Sequence, residues 1–237
     1  MNEVLNKKIP YVDLSSQYKK EREDLLPIID KVLSSGNYIL GENVKKLEEK
    51  LANYIGVKYC LSLNSGTDAL LLGLHGLGVG RGDEVITQPN SFIASAAVIA
   101  HLGAKPVFVD VLEDQSIDPG EIEKKITEKT KAIMPVHLTG RIGEFDKIKS
   151  ISKSFNIPII EDAAQSIGSI YNGVKSGLLG DVACFSTHPL KNLNAVGDGG
   201  FLTTNSKEIY DKGELYRNHG LESRDKCIFW GTVSRLD

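Results

Sequence analysis

Cysteine is scarce. Cys60, Cys184 and Cys227 form an odd, widely spaced set with no C-x-x-C pair, which argues against a disulfide scaffold and suits a reducing compartment. His75, His101, His137, His188 and His219 are scattered without zinc-ligand spacing, so no metal centre is expected. A basic excess is missing too. The 28 Lys and Arg stand against 31 Asp and Glu, a formal net charge of −3, which speaks against a polyanion-binding surface. No apolar run is long enough for a membrane helix, and "MNEVLNKKIP" lacks the apolar centre of a signal peptide. Low-complexity segments, internal repeats and an obvious linker are absent as well. The expected setting is cytoplasmic, without nucleic acid or membrane.

What is present is an alternation. With 41% hydrophobic and 25% charged residues, 237 residues suffice for one large α/β domain. Residues 16–35 and 43–55 carry helical spacing, with Leu47, Leu51 and Ile55 among Lys and Glu. Strand-like "YCLSLNSG" then leads into the helix "TDALLLGLHGLG", and the pattern repeats through "DEVITQP", "SFIASAAVIAHLG" and "KPVFVDV". "DPGEIEKKI" predicts a helix capped by Asp118, with Pro119 at its first position and Glu121 closing a capping box. "KAIMPVHL", a helix over 142–156, then "IPIIED", "DVACFST" and "GFLTTN" complete the series. Several strands are apolar throughout, as a sheet covered on both faces requires. The expected architecture is α/β, a three-layer arrangement around a mostly parallel sheet.

In such sheets ligands collect beyond the carboxyl ends of the strands. There the sequence places "NSGTD", "QPNSF", "HLTG", "EDAAQS" and "STHPLK". Each has two readings. Ser65, Gly66 and Thr67 make either an ordinary helix cap or a phosphate cradle at a helix N-terminus. Asp162 either caps a loop or holds a protonated pyridine nitrogen. Gln165 caps a helix or bonds a ring oxygen, and Phe92, opening a helix, is core or a stacking face. Ser186 could add a phosphate hydroxyl. Lys191, between an apolar strand and the turn "AVGDGG", is either a solvated loop lysine or a Schiff-base amine at a pocket rim. "GLGVGRGD" precedes a strand instead of joining strand to helix, so it reads as a turn and not a dinucleotide fingerprint. His188 and His219 read as structural or substrate-edge residues.

Taken together, "SGTDAL", "EDAAQSIGS" and "FSTHPLKNLNAVGDGG", with "IPYVDLSSQY", "PVHLTGRIGEFDKI" and "RNHG", resemble the DegT/DnrJ family of nucleotide-sugar aminotransferases. The resemblance implies the aspartate-aminotransferase fold and pyridoxal 5'-phosphate as cofactor. It implies that Lys191 is the catalytic amine, that Asp162 pairs with the pyridine nitrogen and Gln165 with the ring oxygen. Gly66, Thr67 and Ser186 would hold the phosphate and Phe92 would stack on the ring. His188 and Arg235 would face substrate. The implied reaction is transamination of a nucleotide-linked keto-deoxy-sugar, with glutamate as donor, for amino-sugar, polysaccharide or lipopolysaccharide synthesis. The implied assembly is a homodimer.

Two departures accompany the resemblance. The chain ends at "FWGTVSRLD", where the family reads on into a smaller C-terminal domain. Residues 1–237 are therefore expected to form the large cofactor domain with an N-terminal helical segment, the small domain being largely missing. Val233 stands where relatives carry an asparagine that reaches the neighbouring subunit's phosphate. A non-catalytic homologue that binds cofactor or partner is the alternative, as is a sugar dehydratase, although relatives that dehydrate carry histidine in place of the lysine.

Overall fold

The computed structural model describes residues 9–237, and the chain divides into two compact units, Met1–Ile39 and Leu40–Asp237. The boundary falls in "GNYILG", which has no proline or serine run to announce a linker. In the first unit, α1 (Leu14–Ser35) starts where the Asp13 carboxylate accepts the Ser16 N–H at 3.0 Å. It stops at Gly36, whose φ of 70° is a left-handed conformation that favours glycine. No described α1 side chain is buried.

The second unit runs α2 (Glu42–Ile55), β1 (Tyr59–Leu63), α3 (Gly66–Gly76), β2 (Glu84–Thr87), α4 (Ala94–His101), β3 (Lys105–Phe108), α5 (Pro119–Lys125), β4 (Thr130–Met134), α6 (Phe145–Phe155) and β5 (Ile160–Asp162). A two-residue-per-strand hairpin follows, β6 (Ile170–Tyr171) with β7 (Val174–Lys175). Then come β8 (Val182–Ser186), β9 (Gly200–Thr204), α7 (Lys207–Tyr216) and a last hairpin, β10 (Leu221–Ser223) with β11 (Lys226–Cys227).

The strands order as β3-β2-β4 and β5-β8-β9-β1, and parallel bridges Ile133–Ile159 and Val136–Asp162 join the two groups into one sheet. Within this sheet β9 runs antiparallel to both neighbours while the other pairings are parallel. Side-chain alternation explains the layers. Leu61, Leu63, Val85, Met134, Val182 and Leu202 share one cluster with α3 and α4, while Ile86 and Ile133 meet α5 and α6 on the other face. Cys60, Phe185 and Phe201 pack with Leu51 and Ile55 of α2, also away from the first cluster. Burying each such Leu, Ile or Phe contributes about 1.5–3 kcal/mol. The expected three-layer α/β fold is the one observed.

Two local expectations are corrected. Asp118 does cap α5, accepting the Gly120 N–H at 2.7 Å, but Glu121 closes no capping box. Its carboxylate pairs with Lys124 at 2.7 Å, and the Asp118 N–H already donates to the Asp110 carbonyl. Phe92 does not open a helix either: α4 begins at Ala94, after a turn in which the Phe92 carbonyl accepts the Ser95 N–H. The glycines of "GLGVGRGD" do form a turn, with φ of 77° at Gly78 and 94° at Gly82. Among the described residues no helix is long and apolar enough to cross a membrane.

Candidate active site

A cavity of about 470 Å³ opens at the carboxyl ends of the parallel strands. Its lining includes Gly66, Thr67, Phe92, Asp162, Gln165, Ser186, His188 and Lys191. Thus every cofactor-binding residue expected from the sequence meets at one place, although the group spans residues 66–191. Arg235 lies outside this lining; its Nη1 donates to Asn218 Oδ1 at 2.9 Å, and its Nε is buried without a partner. Val233 is half-exposed, and its backbone bridges to Asn218.

One wall is the N-terminus of α3. Ser65 Oγ accepts the Asp68 N–H at 3.0 Å and the Ser65 carbonyl accepts that of Ala69. The amides of Gly66 and Thr67, which have no intrahelical acceptor, remain for an anion. The ordinary capping reading therefore applies to Ser65, while the amides of the next two residues stay open toward the cavity. Gly66 is needed for packing: a Cβ built there would come within 2.6 Å of Ser186 Cβ. Gly200 makes a matching approach from β9, where a Cβ would lie 2.4 Å from the Ser65 carbonyl carbon. Two bare backbones thus bring β8, β9 and the helix start together.

Asp162 ends β5 and is 5% exposed. Its Oδ2 accepts the Ser95 hydroxyl at 2.6 Å and its Oδ1 accepts the Ala164 N–H at 3.3 Å, so loop capping and cavity lining coexist. Burial pushes its carboxyl upward, opposed by the Ser95 and Ala164 hydrogen bonds and by His137 and Lys191. A buried anion so disposed suits a cationic partner. Gln165 reaches the short 3-10 turn Leu138–Gly140. Its Oε1 accepts the Thr139 N–H at 2.7 Å, which leaves the amide NH2 to donate. Phe92 is 71% exposed at the rim, which rules out its core reading.

Lys191 is half-buried in the 187–199 loop, which carries the chain from β8 to the reversed strand β9. The loop is tied at its base by the Thr187 N–H to the Gly199 carbonyl, and at the lysine by the Lys191 N–H to the His188 carbonyl, both at 2.8 Å. His188 Nδ1 in turn accepts the Leu190 N–H at 3.2 Å.

Several participants were not singled out from the sequence. Ser91 and Ser95 both line the cavity, and their i, i+4 spacing in "SFIAS" was the available signal. His137 also lines it, with its Nε2 3.0 Å from Glu161 Oε2. Glu161 is fully buried and accepts the backbone N–H groups of Gly177, Leu179 and Gly180. It pins the 177–180 turn beneath the site. A charge beside Asp162 in an otherwise apolar strand was its only sequence signal.

Fold and site together define a mixed α/β protein whose cavity combines a helix N-terminus, a buried carboxylate and a lysine. Residues 19–236 match the DegT/DnrJ/EryC1/StrS aminotransferase family, and the chain belongs to that family. It is similar to a "Pleiotropic regulatory protein" of Geobacillus stearothermophilus, 44% identical over 97% of this chain and 62% of the relative. It is equally similar to the UDP-2-acetamido-2-deoxy-3-oxo-D-glucuronate aminotransferase of Pseudomonas aeruginosa, 44% identical over 97% of this chain and 64% of the relative. The crystal structure of S. venezuelae DesV with a ketimine intermediate superposes with a TM-score of 0.94 at 39% identity, covering 98% of this chain and 62% of that one. The chain therefore spans a little under two thirds of the length of these relatives.

Proposed function

We propose that the chain is the large, cofactor-binding domain, with an N-terminal helical segment, of a pyridoxal 5'-phosphate-dependent aminotransferase acting on a nucleotide-linked keto-deoxy-sugar. The observation that carries this is the convergence of Lys191, Asp162 and the α3 N-terminus on one cavity. The residues present fit the cofactor. Gly66 and Thr67 amides with the Ser186 hydroxyl offer donors to a phosphate, and the rim ring of Phe92 offers a face for stacking. The Gln165 amide suits a phenolic oxygen, and buried Asp162 suits a ring nitrogen that carries a proton.

When bound, the pyridine ring supplies an electron sink for the pair released at the substrate carbon. Asp162 keeps the ring nitrogen protonated, which makes that sink effective. Lys191 Nζ anchors the cofactor and then takes and returns the proton at the carbon bearing nitrogen. His188 stands at the cavity edge, where it can meet the incoming substrate. Arg235 is assigned to the substrate side of a neighbouring copy.

The amino donor in this proposal is glutamate, the acceptor a sugar ketone, and the product an amino sugar for surface polysaccharide or a glycosylated metabolite. Support for the sugar comes from the names of the relatives. Two copies are proposed to pair as a homodimer: exposed Phe92, Ile93, Leu190 and Val196 form an apolar fringe near the cavity that suits a second chain. The compartment proposed is the cytoplasm, which suits three free thiols.

A second proposal, a non-catalytic relative that binds cofactor or partner, draws on the regulatory name of the Geobacillus protein. One spectrum separates the two. Protein mixed with pyridoxal phosphate and desalted should keep a yellow near-visible band that Lys191→Ala lacks and that glutamate bleaches. A band unaffected by glutamate favours binding without turnover. A band retained by Lys191→Ala overturns the role of the lysine.

A further inference from the structure

We propose that Ser95, backed by Ser91, is a positioning residue that fixes the charge and the aim of Asp162 toward the cofactor's ring nitrogen. This rests on the proposed cofactor. The geometry begins with a 2.6 Å contact between Ser95 Oγ and Asp162 Oδ2, in the range of a hydroxyl donating to an ionised acceptor. Ser91 Oγ lies 2.7 Å from Ser95 Oγ.

Directions follow from valence. An ionised carboxylate only accepts, so Ser95 must donate its single proton to Asp162. Ser95 can then only accept from Ser91, and Ser91 must donate to Ser95. The wire therefore runs Ser91 to Ser95 to Asp162 with one consistent polarity. A neutral Asp162 carrying its proton on Oδ2 would invert it. Oδ2 is thereby committed to α4, while Oδ1 holds only the longer Ala164 contact of 3.3 Å and keeps capacity for a stronger donor. Such a donor is what a protonated ring nitrogen offers.

The other charged and titratable groups around Asp162 do not replace this link. His137 and Lys191 favour the anion through space only, and burial opposes them as the largest effect. Cys184 on β8 is buried and, pushed up by desolvation and by Asp162 itself, stays a neutral thiol. Glu161 is turned to the 177–180 loop and occupied there. Ser95 is thus the side chain that directly donates a hydrogen bond to Asp162, and its own burial keeps water from substituting.

The test compares Ser95→Ala, Ser95→Thr and Ser91→Ala by two readouts. The first is the pH dependence of pyridoxal phosphate binding. The second uses cofactor-free protein: the protonated-carboxyl band in pH-difference infrared spectra, assigned by its loss in Asp162→Asn. Ser95→Ala should weaken binding about tenfold at neutral pH, as loss of a hydrogen bond to a charge implies. It should also move the acid limit of binding and the infrared midpoint upward together. Ser95→Thr should restore both, and Ser91→Ala should shift both less, in the same direction. Ser95→Cys, a poorer donor of similar shape, should act in the same direction even if the alanine variant does not fold. An infrared midpoint that stays put in Ser95→Ala, or a threonine variant that behaves like alanine, overturns the proposal. A midpoint that moves in protein that never binds pyridoxal phosphate overturns the cofactor assignment but upholds the hold of Ser95 on the carboxylate.

Discussion

Gly66 and Ser186 approach so closely at the cavity wall that a Cβ on Gly66 would lie 2.6 Å from Ser186 Cβ and 3.0 Å from its Cα. Neither atom is the far end of a flexible side chain, so helix and strand must separate to admit a methyl group. Gly66→Ala should cost about 1–3 kcal/mol of stability, as overpacking does. It should weaken phosphate-dependent cofactor binding as well. Denaturant midpoints and cofactor titration check both effects, and an alanine variant that binds normally would remove Gly66 from the cradle.

Phe92 makes the opposite prediction, because it is exposed. Phe92→Ala should leave the denaturation midpoint within about 0.5 kcal/mol of the parent. Cofactor affinity should nevertheless fall about threefold to tenfold, the worth of an aromatic stacking contact. Equal losses in stability and binding would instead make the ring a packing residue.

For Asp162, burial sets the sign. Its folded pKa is raised above the ordinary 3.8, so the folded state takes up the proton more readily than the unfolded chain. Stability is then fully present below the unfolded value and is lost as pH rises toward the elevated folded one. Asp162→Asn should make cofactor-free protein more stable than wild type at pH 7, with the gap closing in acid. The same variant should lose most of its capacity for turnover. Thermal melts across pH follow the first effect and glutamate-dependent bleaching the second.

Glu161 should be intolerant of even an isosteric change. Its two oxygens accept three backbone N–H groups and face His137. In Glu161→Gln one oxygen becomes an amide donor set against donors. A loss of about 3–5 kcal/mol is expected, as for a broken buried pair. Urea unfolding measures it, and a loss below 1 kcal/mol would show that the 177–180 turn holds without this anchor.

The layers of the fold were legible because strands covered on both faces must be apolar throughout, and Leu61, Ile86, Ile133 and Val182 are. Strand order was not legible: nothing in "GFLTTN" says that β9 runs against its neighbours. That Gly66, Asp162 and Lys191 would line one cavity was legible, since each stands at or just past a strand end. What escaped were side chains whose role depends on a distant partner. Ser95 lies 67 residues from Asp162, and their hydrogen bond exists only in three dimensions. Glu121 failed in the other direction, its capping role lost to Lys124 beside it and to the Asp110 carbonyl.

The pairing of Tyr59–Leu63 with Gly200–Thr204 has a consequence for the order of events in synthesis. It joins segments more than a hundred residues apart, a closure that slows folding and cannot begin until the later segment exists. The lysine loop returns to the sheet only through that strand, and Gly200 also lies against the start of α3. A nascent chain halted before residue 200 would already carry Gly66, Asp162 and Lys191 around β8, but without the strand that returns the lysine loop to the sheet. Closure of the loop that carries Lys191 thus arrives late in translation, after the strands on either side of Asp162 have been made.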